Sequence, residues 1–260
     1  MEEIKEDKDM LERFETDIPQ LTGDEKRNVY VYVPDMKGRF PVLYMFDGQN
    51  LFSDEEASYG KSWGMYEYLE ENEVPLIVVG VECNHHGEQE KGGGRLSEYS
   101  PFNFEDPEWG KIRSRGKITM DWFVYELKTY IDDNYPTLSD RAHTFIAGSS
   151  MGGLMTLYAL SKYNDVFSRG AALSPSIGFS PAKVLNMISR SRYKDTVLYM
   201  DYGENEIAYR NTRKVFGEVA AALIRKNVLL ESRIVPDGDH SEASWEKQVP
   251  FFMDVLFYDL

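Results

Sequence analysis

The stretch that decides the fold covers residues 143–153 and reads His-Thr-Phe-Ile-Ala-Gly-Ser-Ser-Met-Gly-Gly. A short apolar run leads into a Gly-x-Ser-x-Gly pentapeptide, and a second apolar run of helical character follows at 154–160. A serine between a buried strand and a helix lies on a tight, strained turn that lifts its hydroxyl above the sheet. Gly148 and Gly152 allow the strand and the helix to approach without Cβ clashes. The pattern predicts that Ser150 is a nucleophile.

The pentapeptide alone does not establish this prediction. Because glycine and serine are common, the pattern arises by chance in roughly one chain in ten of this length. A glycine-rich turn without chemical importance is therefore the alternative interpretation. The positions of the remaining candidate catalytic residues have to decide between the two.

Length and charge limit the classes of function. A chain of 260 residues fits one large α/β domain or two small ones, and no linker rich in Pro, Gly or Ser marks a second domain, so we expect a single domain over 1–260. The net charge of −15 argues against nucleic acid as a partner, since nucleic-acid binding needs a basic surface. Neutral or cationic small molecules fit this charge better than polyanions.

Cysteine content and apolar runs exclude further classes. The single cysteine, Cys83, rules out an internal disulfide and a cysteine-based zinc cluster, and it is expected to be a half-buried structural thiol. His85 and His86 are expected to be a solvated loop pair, so we predict no metal and no cofactor. No apolar run is long enough to span a bilayer, and the N-terminus lacks the pattern of a secretory signal, which predicts a cytoplasmic protein without a membrane partner. Whether it forms a homo-oligomer stays open.

Apolar runs alternate with helical patterns along the chain. Strands are predicted at 28–34, 41–46, 76–81, 143–147, 196–200 and 229–235, and helices at 63–71, 120–135, 154–162, 181–191, 208–225 and 244–257. Strands without polar alternation are covered on both faces, as in a parallel sheet. The sequence therefore predicts an α/β fold of the α/β-hydrolase type, with a mainly parallel central sheet flanked by helices on both faces.

Two segments fall outside this alternation. Residues 1–16 are rich in charge and are expected to form a frayed or helical N-terminal arm. Residues 84–119 show little periodicity and are expected to form a long loop. Long loops in compact domains are usually functional, and this one precedes the helix before the serine turn. It is a candidate for the rim of a substrate cleft.

A serine nucleophile needs a base, and elimination identifies one. In the α/β-hydrolase arrangement the order along the chain is Ser, then Asp or Glu, then His. The chain has four histidines, and His240 alone follows Ser150. It lies in a polar loop between the last predicted strand and the last predicted helix. A surface histidine without catalytic importance is the alternative.

The acid that orients the histidine should follow the preceding strand. That strand leads into residues 201–206, which read Asp-Tyr-Gly-Glu-Asn-Glu. Glu206 is the first candidate and Glu204 the second, because both follow the strand end, whereas Asp201 is expected to belong to the strand. Asp237 and Asp239 lie so close to His240 in sequence that a turn role fits them better.

The oxyanion formed during acyl transfer needs preorganised N–H donors. One should be the amide of Met151, directly after the nucleophile. The second should come from the loop after an early strand, residues 47–52, where Gly48 allows close backbone approach and Gln49 is the candidate donor. An ordinary Asp-Gly turn is the alternative for this loop.

Four motifs carry a family resemblance. They are Asp-Gly-Gln-Asn-Leu-Phe at 47–52, Arg-Leu-Ser-Glu-Tyr-Ser-Pro at 95–101, Gly-Ser-Ser-Met-Gly-Gly at 148–153 and His-Ser-Glu-Ala-Ser-Trp at 240–245. Together they resemble the putative-esterase family of α/β-hydrolases, which includes esterase D-like enzymes, enterochelin-esterase-like trilactone hydrolases, and feruloyl and acetylxylan esterases. The resemblance implies Ser150 as nucleophile and His240 as base, with Glu206 at the usual acid position. Many relatives have Asp or a Gly-Thr start in that last loop.

The substrate contacts are less defined by the sequence. Arg95 is a candidate for a carboxylate or polar acyl group, although a salt bridge with a nearby acid such as Glu98 explains it equally well. Trp63 and Tyr99 are candidates for an acyl or aryl pocket. Trp122 fits the core better, and Trp245 is expected to pack so that it positions the His240 loop.

The leading hypothesis is a serine carboxylesterase that hydrolyses a small-molecule ester through an acyl-enzyme. Alternatives on the same scaffold are an acyltransferase and a siderophore- or carbohydrate-ester hydrolase acting on feruloyl or acetyl esters. A non-catalytic binding protein is a further alternative, which the intact serine, histidine and acid disfavour.

Overall fold

Eight strands form the central sheet of the computed structural model, which describes residues 10–85, 93–206 and 211–260. In this sheet the strand order is β1-β2-β4-β3-β7-β8-β9-β10, and β5 pairs with β6 in a separate antiparallel ribbon. The bounds are β1 (Leu11–Asp17), β2 (Lys26–Tyr32), β3 (Val42–Phe46), β4 (Ile77–Val81), β5 (Phe104–Asp106), β6 (Gly110–Ile112), β7 (Thr144–Ser149), β8 (Arg169–Leu173), β9 (Val197–Gly203) and β10 (Leu229–Val235).

The sheet is parallel except at one side. Strand β3 pairs parallel with β4 and β7, and the pairs β7–β8, β8–β9 and β9–β10 are also parallel. Strand β2 is antiparallel to both β1 and β4. The predicted α/β-hydrolase fold with a mainly parallel sheet is confirmed.

Helices flank the sheet on both faces. Their bounds are α1 (Pro19–Thr22), α2 (Met65–Glu71), α3 (Gly94–Glu98), α4 (Gly116–Trp122), α5 (Lys128–Asn134), α6 (Met151–Lys162), α7 (Pro181–Arg190), α8 (Thr212–Arg225), α9 (Glu242–Glu246) and α10 (Val249–Leu256). A π-helical turn, Phe123–Leu127, joins α4 and α5 into one continuous helix that starts earlier than the predicted 120. No helix within the described ranges combines the length and the apolar character that crossing a membrane requires.

The alternation of side chains along β3 shows the two layers. Tyr44 and Phe46 belong to the core on the face covered by α4–α8, whereas Leu43 and Met45 belong to the core beneath α2, α9 and α10. All five residues of the strand are buried. Successive side chains of a strand point to opposite faces, so a strand covered on both sides must be apolar throughout. This is why the central strands appear as unbroken apolar runs in the sequence.

Two predictions about segments need correction. Residues 11–16 are not a frayed or helical arm, because they belong to β1, which pairs along its whole length with β2. Residues 1–9 lie outside the described part of the chain. The segment 84–119 is not one long loop, since it contains α3, the β5–β6 ribbon and the start of α4, while 86–92 lie outside the described residues. Strand β8 was missed altogether.

Candidate active site

The candidate site lies at the carboxyl ends of the parallel strands. Asp47 follows β3, Ser150 follows β7, Ser174 follows β8, Glu206 follows β9 and His240 follows β10. The carboxyl ends of parallel strands meet at one edge of a sheet, and this edge is where open α/β sheets bind ligands. Residues far apart in the sequence are thereby brought together without any of them belonging to the same element.

Ser150 lies on the predicted strand–turn–helix. Its backbone has φ 57° and ψ −118°, a region that L residues rarely adopt, and it directly precedes α6. A Cβ on Gly148 would lie 2.9 Å from the carbonyl carbon of Gly152, and one on Gly152 would lie 3.0 Å from Cβ of Phe46. Both glycines are therefore needed for the close contact of β7, α6 and β3, as the pentapeptide predicted.

A chain of hydrogen bonds joins the serine to the histidine and the acid. His240 Nε2 lies 2.9 Å from Ser150 Oγ, and His240 Nδ1 lies 2.6 Å from Glu206 Oε2. The Ser150 hydroxyl is also 3.3 Å from the hydroxyl of Ser176. With the imidazole neutral and its proton on Nδ1, Nε2 is the acceptor for the serine proton. The structure thus brings together the three residues that the sequence selected.

The position of Glu206 separates it from Glu204. Glu206 Oε1 accepts hydrogen bonds from the amide of Gly203 at 2.7 Å and from the hydroxyl of Ser174 at 2.5 Å. These contacts orient the carboxylate so that its second oxygen faces the imidazole. Glu204 instead accepts from the amide of Asp237 at 3.3 Å on the surface. The first of the two predicted acids is therefore the one in contact with His240.

Ser174 is a site residue that the sequence did not indicate. Its hydroxyl donates to Glu206 and accepts from Trp245 Nε1 at 3.0 Å, while its backbone amide donates to Asp201 Oδ1 at 3.1 Å. The Trp245 ring also packs edge-on against the His240 ring, with 5.0 Å between centroids. Trp245 therefore packs beside His240, as predicted. Ser174 could have been found only by first identifying β8.

The loop after β3 approaches the sheet very closely. Asp47 has φ 58°, and a Cβ on Gly48 would lie 2.5 Å from the carbonyl carbon of Gly80 in β4. Gln49 is held by its side chain, whose Nε2 donates to Cys83 Sγ and whose Oε1 accepts from the Cys83 amide, both at 3.2 Å. Met151 is the first residue of α6, so its N–H belongs to the group that lacks an acceptor within the helix.

Arg95 binds an acid other than the one expected. Its Nε and Nη2 donate to the two carboxylate oxygens of Asp47 at 2.6 and 2.7 Å, a two-pronged ion pair at the edge of the site. Glu98 is instead paired with Arg27 at 2.5 Å in the interior. The reason is geometric, because α3 turns Arg95 towards the β3 loop and Glu98 towards β2.

The two predicted aromatic contacts belong to the core. Tyr99 is 1% exposed, and its hydroxyl accepts from the Asp47 amide at 3.3 Å. Trp63 is 3% exposed and packs against Trp245, with 6.0 Å between centroids. Neither lines the cavities that border Ser150 or His240. Their predicted role as substrate contacts is therefore wrong, whereas Trp122 is buried in the core as expected.

The prediction for the Cys83 thiol changes, whereas His85 lies in the loop where it was expected. Cys83 is buried rather than half-buried, and burial raises the pKa of its thiol. His85 contacts Cys83 and lies 3.3 Å from a Glu82 carboxylate oxygen, and these two groups raise the pKa of His85 to about 11. Its side chain is exposed in the loop after β4, as expected, and His86 lies outside the described residues, so the solvated pair stays a prediction. Within the described residues, no group of His, Cys, Asp and Glu side chains is arranged to hold a metal ion.

The family of the chain follows from a match over most of its length. Residues 21–255 match the family described as "Putative esterase". The chain belongs to this esterase family. An uncharacterized protein of Bacillus subtilis strain 168, YbbA, is 22% identical over 187 residues, which are 69% of each chain.

Solved structures show the same fold as this esterase. The BES protein from Bacillus cereus has a TM-score of 0.74 at 17% identity, over 99% of this chain and 98% of that one. The enterobactin and salmochelin hydrolase IroE has a TM-score of 0.66 at 18% identity, over 95% of both chains. A fluorophosphonate-binding serine hydrolase of Staphylococcus aureus, FphF, has a TM-score of 0.63 at 17% identity, over 95% of this chain and 98% of that one. At these identities the likeness concerns the fold.

Two cavities of this esterase meet at His240. The polar cavity, about 420 Å³, is lined by Ser150 and His240 together with Asp47, Arg95, Glu242 and other residues. The apolar cavity, about 390 Å³, is also lined by His240, together with Phe179, Tyr202 and Ser176 among others. His240 therefore borders two cavities of different character, with Ser150 lining the polar one and Glu206 the apolar one.

Proposed function

We propose that the protein is a serine carboxylesterase that hydrolyses a small-molecule ester through an acyl-enzyme. The observation that carries this proposal is the unbroken chain of hydrogen bonds from Glu206 through His240 to Ser150. Membership of the esterase family supports an esterase-type hydrolase. A serine nucleophile requires a base within hydrogen-bond reach and a third group that orients the base, and the three side chains satisfy both requirements.

The reaction runs in two halves. Ser150 Oγ attacks the ester carbonyl carbon while His240 Nε2 takes the hydroxyl proton, and the amides of Met151 and Gln49 donate to the oxyanion. Collapse breaks the bond to the alcohol oxygen, which receives the proton from His240. Water then attacks the acyl-enzyme with His240 again as base, and Ser150 and the carboxylic acid are released. Glu206 stabilises the imidazolium in both halves.

The nucleophile is tested by paired serine variants. Ser150→Ala should lower kcat/KM for p-nitrophenyl butyrate by about 1000-fold or more, because Ser150 Oγ is the hydroxyl that contacts His240 Nε2. Ser149→Ala, which removes the adjacent hydroxyl in β7, is the matched control and should retain most activity. Labelling by a serine-directed fluorophosphonate should disappear in Ser150→Ala alone. Equal rates for wild type and Ser150→Ala would contradict the proposal.

The acid is tested by paired glutamate variants. Glu206→Gln should reduce kcat by about 100-fold or more, because the amide cannot stabilise the imidazolium and can favour the wrong tautomer. Glu204→Gln removes the same charge from the same loop and should change kcat by less than about twofold. A larger loss for Glu204→Gln than for Glu206→Gln would assign the acid role to Glu204.

The same assay separates the alternative substrates. Among proteins of the same fold, one is a ferulic acid esterase and another is a siderophore hydrolase, EstA of Aspergillus nidulans. A feruloyl ester and an acetylated sugar therefore belong beside the nitrophenyl esters. Release of acid without ester exchange in the presence of an added alcohol would distinguish hydrolysis from acyl transfer.

A further inference from the structure

Glu242 is a buried acid in the polar cavity that the proposed mechanism does not use. It is the first residue of α9 and is 7% exposed, yet it lines the same cavity as Ser150. Its side chain accepts a hydrogen bond from Asn50 Nδ2 at 3.4 Å, close to the upper limit for such a bond. A carboxylate can accept about four hydrogen bonds. Glu242 therefore retains capacity for a group that enters the cavity.

The charges around Glu242 leave the polar cavity negative. Asp47 is the other carboxylate that lines it, and the Arg95 guanidinium binds both oxygens of Asp47. That pair neutralises itself, whereas within the described residues Glu242 forms no ion pair of this kind. Burial raises the pKa of Glu242 and the negative charge of Asp47 adds to this, while the attraction of Arg95 and His240 opposes it without reversing the direction. Because burial and Asp47 disfavour the ionised form of Glu242, a positive charge that enters the cavity stabilises this carboxylate.

The aromatic lining of the cavity agrees with a positive guest. Tyr59 and Trp245 line the polar cavity, and Tyr59 is 81% exposed, so that its ring is accessible to an incoming group. Aromatic faces attract cations, including quaternary ammonium groups. The net charge of −15 favours the approach of cations over that of anions. The apolar cavity is lined by Phe179 and Tyr202, and its carboxylate, Glu206, is already bonded to His240, Gly203 and Ser174, so this cavity suits an uncharged group.

We propose that Glu242 is a specificity-determining residue, and that the substrate is an ester with a cationic group in the polar cavity and an uncharged apolar group in the apolar cavity. The proposal rests on the esterase function above and adds a substrate class to it. The ester carbon lies between the two cavities, beside Ser150 and His240. Glu242 binds the cation through its charge and takes no part in bond making.

The test compares esters that differ only in charge. Choline butyrate and 3,3-dimethylbutyl butyrate have the same shape, with a quaternary nitrogen in one and a quaternary carbon in the other. The p-nitrophenyl esters of 4-(trimethylammonio)butanoate and 5,5-dimethylhexanoate form the same pair on the acyl side. Wild type should prefer the cation of at least one pair by about 10-fold in kcat/KM, and Glu242→Gln should abolish that preference.

A matched variant controls for overall charge. Glu246→Gln removes the same charge from the same helix, but Glu246 binds Lys61 and lines a different groove. It should keep the cation preference of wild type. The preference should also fall as the pH is lowered through the raised pKa of Glu242, because the protonated acid loses its charge. The other charged groups that face it are Asp47, Arg95 and His240, and they also act on the cation. Glu242→Gln keeps these three groups, so the part of the pH dependence that disappears in this variant reports on Glu242.

Binding measurements separate this inference from the proposed function. Isothermal titration of choline butyrate into Ser150→Ala and into Ser150→Ala/Glu242→Gln needs no turnover, and affinity should fall about 10-fold in the double variant. If neither pair shows a charge preference that depends on Glu242, and the two titrations agree, the inference is wrong. Esterase activity that depends on Ser150 would then still support the proposed function, whereas loss of that dependence would overturn the function itself.

Discussion

At the scale of single residues, Ser150 has an unfavourable backbone conformation that hydrogen bonds to neighbouring segments stabilise. Its φ of 57° and ψ of −118° lie in a region nearly restricted to glycine, and such strain persists only where surrounding contacts hold it. The Ser150 amide donates to the Leu173 carbonyl and its carbonyl accepts from the Ser176 amide, both at 2.9 Å. The turn is therefore fixed by strand β8 and the loop after it.

Ser174 gives a prediction at this scale. Ser174→Ala removes the hydroxyl that links Glu206 to the Trp245 indole, so the carboxylate and the indole each lose a partner. A hydrogen bond to a charged group contributes about 1.5–3 kcal/mol, so kcat should fall about 10-fold or more with little change in KM. Ser189→Ala, on the exposed face of α7, is the control. An unchanged kcat would show that Glu206 is held without Ser174.

At the scale of elements, the loop after β3 depends on its contact with β4. Gly48 and Gly80 lie so close that a side chain on either would meet the backbone or side chains of the other segment. The loop carries both Asp47, which binds Arg95, and the Gln49 amide. A small shift of this loop would displace an N–H donor, and donors act only when they are placed at the oxyanion.

Two glycine-to-alanine variants test this contact. Gly48→Ala places Cβ 2.5 Å from the Gly80 carbonyl carbon, so the free energy of unfolding should fall by about 1–3 kcal/mol and kcat should fall as well. Gly217→Ala, within α8, meets nothing within 4 Å and should stabilise the protein by about 0.5–1 kcal/mol. Urea unfolding measures both. Equal stability of the two variants would contradict the close approach.

The sequence predicted the strands whose residues form continuous apolar runs. Strand β10 was predicted at its observed bounds, 229–235, and β3, β4, β7 and β9 lie within or close to their predicted runs. Strand β8 was missed because its sequence, Arg-Gly-Ala-Ala-Leu, has small side chains and a low β propensity. The segment nevertheless forms a strand because it pairs with β7 on one side and β9 on the other. Strand β1 was missed because charged residues conceal its pairing with β2.

At the scale of the whole molecule, buried carboxylates make stability depend on pH. Asp201 is 1% exposed in β9, and burial raises its pKa from 3.8 to about 7. The folded protein therefore retains a proton that the unfolded chain releases. The stability from this proton is fully present below pH 3.8 and is lost as the pH rises through about 7.

Asp201→Asn tests this dependence because asparagine does not titrate. Between pH 5 and pH 7, the free energy of unfolding of wild type should fall relative to that of Asp201→Asn by about 2 kcal/mol. Urea unfolding at the two pH values measures the difference. Asp254→Asn, on the exposed side of α10, should run parallel to wild type. Parallel curves for Asp201→Asn as well would show that Asp201 stays ionised.

The sequence by itself determined the parts of this protein that depend on local pattern or on chain order. Unbroken apolar runs predicted the central parallel strands, the glycine spacing predicted the turn at Ser150, and order along the chain selected His240. The same order limited the acid to the loop that holds Glu204 and Glu206, and the family resemblance implied Glu206. The tertiary structure decided which acid meets the imidazole, which carboxylate Arg95 binds, and that Ser174 and Glu242 line the site. These are contacts between loops that follow different strands, and their partners depend on the order of strands in the sheet, which no local pattern encodes.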